Sequence, residues 1–123
     1  MQFFVCEECN NLVGTIHFSG APMSCCGQKM KELAANTSDG AKEKHVPVIK
    51  MDGNMVTVEI GSVAHPMTDA HYIQWIYLQT ENGGQRKSLR PGDEPKAVFT
   101  LHEDKAVAVY EFCNLHGLWK KEL

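Results

Sequence analysis

Five cysteines and a scattered set of histidines carry the chemistry open to this chain. Cys6-Glu-Glu-Cys9 is followed by an adjacent pair, Cys25-Cys26, and Cys113 stands apart in "CNLHGLWKKEL". A Cys-x-x-Cys pair followed by a second pair reads as metal ligation, and an odd cysteine count fits disulfide stapling poorly. Soft thiolate sets select zinc or iron. The usual second knuckle separates its ligands, whereas one peptide unit holds Cys25 and Cys26 with Cα atoms about 3.8 Å apart. A distorted tetrahedron is therefore expected, and these four residues alone do not separate iron from zinc.

The second set is His45, His65, His71, Cys113 and His116. One thiolate with four imidazoles is too many donors for a four-coordinate zinc site. It suits a five-coordinate iron with the thiolate on one axis and the sixth position open. An anionic thiolate opposite an open site pushes electron density onto the metal, as it does in haem thiolates. Such a centre favours redox chemistry on a small molecule, because no nucleophile–base pair or carboxylate dyad accompanies it. Lys44 and Glu43 immediately precede His45. A flexible ammonium there would attract a small anion, although "KEK" also reads as a solvated charged run. His102 in "LHEDK" and His17 in the first unit read as surface or packing residues.

The elements that must position these residues fall into two parts. Residues 1–34 hold the four early cysteines around a short strand-like run, Leu12 to Phe18, with turns at Asn10-Asn11 and Ser19-Gly20,. A unit this small needs its metal or a partner to fold. Residues 35–40 read as a linker. From 41 to 123 the chain is a series of short strands: "VPVIKMDG", "NMVTVEIGS", "HYIQWIYLQT", "KAVFTL" and "AVAVYEF". In the third of these, Tyr72, Gln74, Ile76 and Leu78 alternate with Ile73, Trp75, Tyr77 and Gln79, and both faces carry apolar residues, as in a central strand between two layers. Short strands at such spacing, with Gly and Asp turns and no long helical pattern, predict an all-β, antiparallel sandwich. Cys113 and His116 fall after the last strand so recognised. All five ligand candidates then lie at strand ends or in loops, where a scaffold displays a site.

Composition bounds the partners. The chain has 123 residues, 43% of them hydrophobic, which is enough for one modest core, and its net charge of −3 argues against nucleic acid or an acidic membrane as partner,. No apolar run is long enough to span a bilayer. "MQFFVCEECN" lacks the pattern of a secretory signal, so a cytoplasmic location is expected,.

The pieces "CEEC", "CC", "EKHVPV", "HPMTDAHYI" and "CNLHGLW", in that order, resemble the desulfoferrodoxins, the two-iron class of superoxide reductase. The resemblance covers nearly the whole chain. It implies a small desulforedoxin-like metal-binding unit followed by an immunoglobulin-like antiparallel β-sandwich. It also implies that Cys6, Cys9, Cys25 and Cys26 hold a rubredoxin-like iron, while His45, His65, His71, His116 and the axial Cys113 hold a catalytic iron. By the same resemblance, Lys44 draws superoxide in and helps organise water for protonation. Glu43 can occupy the sixth position once the iron is oxidised. Superoxide as substrate, a rubredoxin-like electron donor and a homodimer follow as expectations. Two other classes remain to be weighed: an electron carrier without its own substrate, and a zinc-stabilised structural module.

Overall fold

The computed structural model describes residues 1–123. Contacts divide them into two units, Met1–Ala34 and Ala35–Leu123. In the first, β1 (Phe3–Val5) lies between β2 (Leu12–Gly14) and β5 (Lys31–Glu32), and β3 (Ser24–Cys25) pairs with β4 (Gln28–Lys29). Its core is minimal: Phe4, Cys6 and Met30, flanked by Phe18, Met23 and Cys25. The strand-like run after Asn11 is regular only to Gly14, and His17 beyond it is exposed. So few buried side chains leave the unit dependent on what its cysteines hold.

The second unit opens with a single helical turn, α1 (Lys42–His45), and continues as seven strands in two antiparallel sheets. One sheet orders β10 (Lys96–Thr100), β7 (Met55–Ile60) and β6 (Pro47–Asp52). The other orders β12 (Gly117–Glu122), β11 (Ala106–Cys113), β8 (Ile73–Thr80) and β9 (Gly83–Ser88). Val56, Val58, Ile60, Ile76, Leu78, Ala97, Phe99 and Val109 fill the space between them. This is the four-plus-three arrangement of an immunoglobulin-like sandwich. The edge at β10 is blunted by β9: Gln85 Nε2 donates to the Thr100 carbonyl at 2.8 Å, and the Lys87 ammonium donates to the Val98 carbonyl,.

Besides β9, a polar strand that the five runs recognised above do not include, three features depart from the pattern read in the sequence. Strict alternation puts Ile73 on the face opposite Ile76 and Leu78, yet all three lie in the core. The pairing supplies the reason. Phe112 faces Trp75 but Cys113 faces Ile73, so one residue of β8 is left over and the strand bulges,. The bulge sits beside Cys113 and turns the end of the strand inward. Secondly, β11 is not the last strand. The chain turns at residues 114–116 and returns as β12, paired with β11 from Cys113↔Gly117 to Ala108↔Glu122. Positive φ at Gly117 (74°) makes this tight return possible,. Thirdly, residues 35–40 fall within the second unit: Asn36 N–H donates to the Leu118 carbonyl at 3.0 Å, and Lys120 N–H to Asn36 Oδ1 at 2.9 Å. No helix is long and apolar enough to cross a membrane.

Glu111 points into the sandwich, opposite Ile76 on β8 and Trp119 on β12. It is fully buried and neither carboxyl oxygen has a hydrogen-bond partner. Burial pushes its pKa up to about 9, so it is neutral at pH 7,. Because the folded value exceeds that of the unfolded chain, its contribution to stability is complete below pH 4.5 and is lost as pH rises towards about 9,. Glu111→Gln is expected to raise the melting temperature at pH 8 and to leave it nearly unchanged at pH 4.5. Thermal melts across that range check this; equal shifts at both ends would contradict it.

Candidate metal centres

The front four cysteines converge. Their sulfurs all lie within 4.8 Å of one another, and every cysteine in the chain is a free thiol, which removes the disulfide alternative. Cys9 Sγ stands 3.6 Å from Cys25 Sγ, and Cys25 Sγ 3.9 Å from Cys26 Sγ. A tetrahedron with metal–sulfur bonds of ~2.3 Å has edges of about 3.8 Å, so a metal fits. Adjacency is achieved by the backbone: Cys26 takes φ 53° and Gly27 φ 72°. A non-glycine residue in that region costs of order 1 kcal/mol, which metal binding can offset. The first knuckle is a tight turn, with Asn10 N–H donating to the Cys6 carbonyl at 2.8 Å and Cys6 N–H to the Asn11 carbonyl at 2.9 Å. Backbone N–H donation, chiefly from Cys9, draws Cys6 down to about 7, whereas the neighbouring thiols, Cys9 first, push Cys26 up to about 12. The last proton leaves readily only when a cation takes its place.

In the second unit four imidazoles form a closed ring. Successive centroids are 4.6 Å apart for His45–His65, 4.6 Å for His65–His71, 5.0 Å for His71–His116 and 4.8 Å for His116–His45. Neighbouring planes stand nearly perpendicular, at 78°, 80°, 71° and 88°. His45 and His71 sit across the ring at 6.3 Å and 31°. This is a square, with His45 opposite His71 and His65 opposite His116. Cys113 Sγ lies within 4.8 Å of the donor atoms of His45, His65 and His71, and 3.9 Å from His116 Nδ1.

His45 and His65 are turned so that a bare nitrogen faces the centre. His45 Nδ1–H donates to the Ala41 carbonyl at 2.7 Å, and His65 Nδ1–H to the Pro66 carbonyl at 2.6 Å. Those bonds fix the tautomers and leave both Nε2 atoms without protons. The two Nε2 atoms are nonetheless 3.1 Å apart, and His45 Nε2 is also 3.1 Å from His116 Nδ1. His71 Nε2 is buried without a partner. Lone pairs so placed repel unless a cation lies among them. A proton is a poor candidate, since burial lowers His65 to about 4 and depresses His45 and His71 as well. A metal fits: nitrogens ~2.1 Å from an ion and at right angles lie about 3.0 Å apart, against about 3.4 Å for a tetrahedron. The spacing therefore favours a square-based ion over tetrahedral zinc.

Several residues outside the donor set shape this centre. Trp119 stacks on His45 at 4.8 Å and donates its Nε1–H to the His116 carbonyl at 3.1 Å. Its role depends on β12, the strand that the sequence pattern did not reveal. The backbone N–H groups of His116 and Leu115 donate towards Cys113 Sγ and ease its ionisation against burial, the larger influence, which raises its pKa. Gly61 (φ 85°) brings the loop before His65 against α1: a Cβ there would meet the Glu43 carbonyl oxygen at 2.8 Å. Val63 N–H donates to that same carbonyl at 2.9 Å. Lys44 and Glu43 are both exposed, and after burial the Lys44 charge also depresses the pKa of His45 and His71. His102 is exposed and joins neither cluster.

Comparison with known proteins agrees with both donor sets. A family model described as Desulfoferrodoxin matches residues 37–122. The chain belongs to the desulfoferrodoxin family. A desulfoferrodoxin homolog of Archaeoglobus fulgidus is 49% identical over 120 residues, covering 98% of this chain and 95% of that one. The crystal structure of the superoxide reductase from Treponema pallidum superposes with a TM-score of 0.83 at 40% identity, covering 98% of each chain. A one-iron superoxide reductase from Giardia intestinalis matches over its whole length but covers 67% of this chain, at 38% identity and a TM-score of 0.56. The two motifs are thus those of a two-iron desulfoferrodoxin: a four-cysteine iron site, and a mononuclear iron site of His45, His65, His71, His116 and Cys113.

Gly40 offers a test of the square. A Cβ at this position would lie 2.9 Å from His45 Cε1 and 3.0 Å from His116 Cβ and Cγ. Gly40→Ala is expected to displace His116 and to weaken iron retention at the nitrogen-rich site about 10-fold or more, while the four-cysteine iron is kept. Iron Mössbauer spectra after timed exposure to a chelator separate the two irons. Equal retention of both by the variant and the parent would contradict the assignment.

Proposed function

We infer that the chain is a superoxide reductase, which converts superoxide to hydrogen peroxide by one-electron reduction. The observation that carries this reading is the square of four inward-facing imidazole nitrogens closed by the Cys113 thiol, in a chain of this family. Iron held by His45, His65, His71, His116 and Cys113 supplies the electron, and two protons complete the balance: O2•− + e− + 2 H+ gives H2O2. Burial keeps His45, His65 and His71 neutral and available as donors,. Lys44 is the catalytic cation: its exposed ammonium draws the anion in and orients water for protonation,. Glu43, adjacent to it, is the carboxylate that would bind the iron once it is oxidised. Cys6, Cys9, Cys25 and Cys26 hold the second iron.

The organisation that goes with this reading assigns residues 1–34 to a four-cysteine iron domain and 41–123 to the reductase domain. Residues 35–40 are the joining segment, fastened to β12 through Asn36. The electron returns from an external one-electron carrier of rubredoxin type. The working form is a cytoplasmic homodimer.

The direct test is a superoxide flux under continuous supply of reductant, with peroxide and oxygen both scored. One peroxide per superoxide and no oxygen is expected. Release of one oxygen for every two superoxide ions is dismutation and would overturn the reading. Lys44→Ala is expected to slow the encounter about 10-fold or more at low salt and to flatten its dependence on ionic strength. Pulse radiolysis at several salt concentrations reads both effects, and a salt dependence equal to that of the parent would remove Lys44 from this role.

A further inference from the structure

His71 differs from His45 and His65 in how it is held. Those two are each oriented by a ring hydrogen bond to a main-chain carbonyl. The His71 ring has no such bond, and its inward Nε2 is the donor left without a partner. Its direction must therefore come from its main chain. Within its own loop, Thr68 N–H donates to the His71 carbonyl at 2.9 Å, and His71 N–H donates to Thr68 Oγ1 at 3.1 Å. Those bonds close the loop on itself, and Gly92 N–H holds its start by donating to the Met67 carbonyl at 2.8 Å.

The tie to the turn that carries His116 comes from Asn114. Its Nδ2–H donates to the Ala70 carbonyl at 3.0 Å, and its Oδ1 accepts the Tyr72 N–H at 2.9 Å. Its own N–H donates to the Tyr72 carbonyl at 3.2 Å. The Ala70 carbonyl belongs to the peptide group before His71, and the Tyr72 N–H to the one after it. One planar amide thus grips both peptide groups that flank the His71 Cα, and the partners fix which way the amide faces. Asn114 also follows Cys113 directly and precedes His116 by two residues. Few side chains could replace it. An aspartate keeps the acceptor but sets a carboxylate against a carbonyl, and an alanine keeps neither bond.

We propose that Asn114 is the positioning residue for His71, locking that imidazole to the turn that carries Cys113 and His116. It touches neither substrate nor metal. It sets the angle at which the His71 nitrogen meets the thiolate-bearing end of β11. The inference rests on the metal centre described above and not on superoxide being the substrate, so its test uses iron alone.

Asn114→Asp and Asn114→Ala, each in the full two-iron protein, are compared with the parent by chelator competition and by the Mössbauer spectrum of the nitrogen-rich iron. Both variants are expected to hold that iron about 10- to 100-fold less tightly, with an altered spectrum, and to keep the four-cysteine iron. The decisive arm repeats the substitutions in a His71→Ala background. There, removing Asn114 should change iron retention less than about 2-fold, because the residue it positions is gone. An equal loss with and without His71 would mean that Asn114 only stabilises the fold, and overturns the proposal. So would a parent-like spectrum in both single variants. If Asn114→Asp does not fold, Asn114→Ala, which adds no repulsion, carries the same comparison. Failure of the peroxide assay alongside success here would sink the substrate and leave the positioning role standing.

Discussion

Two bare nitrogens held 3.1 Å apart, Nε2 of His45 and Nε2 of His65, are the constraint on which the second unit depends. The Ala41 and Pro66 carbonyls take the Nδ1 protons of His45 and His65, so the ring atoms that face each other are both acceptors. Without a cation the arrangement is repulsive and buried, and burial resists protonation. With one, the same distances match nitrogens bound at right angles to a single ion. Much of the fold around the site acts to keep these rings from turning away. Trp119 stacks on one ring and bonds the backbone of another, Gly40 leaves no slack between two of them, and Asn114 grips the loop of a third.

The sandwich supplies what the loops lack. β7 ends at Ile60, and the His65 N–H returns to the Ile60 carbonyl at 3.3 Å, anchoring one loop. The β-bulge opposite Cys113 and the tight return into β12 anchor the other. Two ligands and their positioning residues therefore sit between paired strands, which explains how a cysteine and a histidine so near the end of the sequence are held in place. Metal binding and folding are coupled here because the site concentrates groups that are costly to bury when empty of charge partners, and in the front unit because its core is minimal,.

Much of this was legible in the residues. The spacing of Cys6, Cys9, Cys25 and Cys26 announced a thiolate site, and five further donors at strand ends announced another. The β-branched runs between turns gave the sandwich. What escaped were features that depend on pairing and not on pattern. β12 reads "GLWKKE", too charged to alternate visibly, and only its register against β11 makes it a strand. The bulge in β8 breaks a regular alternation that local sequence displays in full. Asn36 and Gly40 lie in a polar stretch that reads as linker because its contacts, with β12 and with the imidazoles, are distant in sequence. Asn114 and Trp119 looked like neighbours of ligands, and nothing short of the fold reveals what they touch.

The most direct measurement is an anomalous-diffraction crystal structure of the ferrous protein at the iron edge. One iron should be bonded to Nε2 of His45, His65 and His71, to Nδ1 of His116 and to Sγ of Cys113, with the face beside Lys44 free of protein ligands. An iron that misses one of those imidazoles, or that carries a sixth side chain in the reduced state, would contradict this picture.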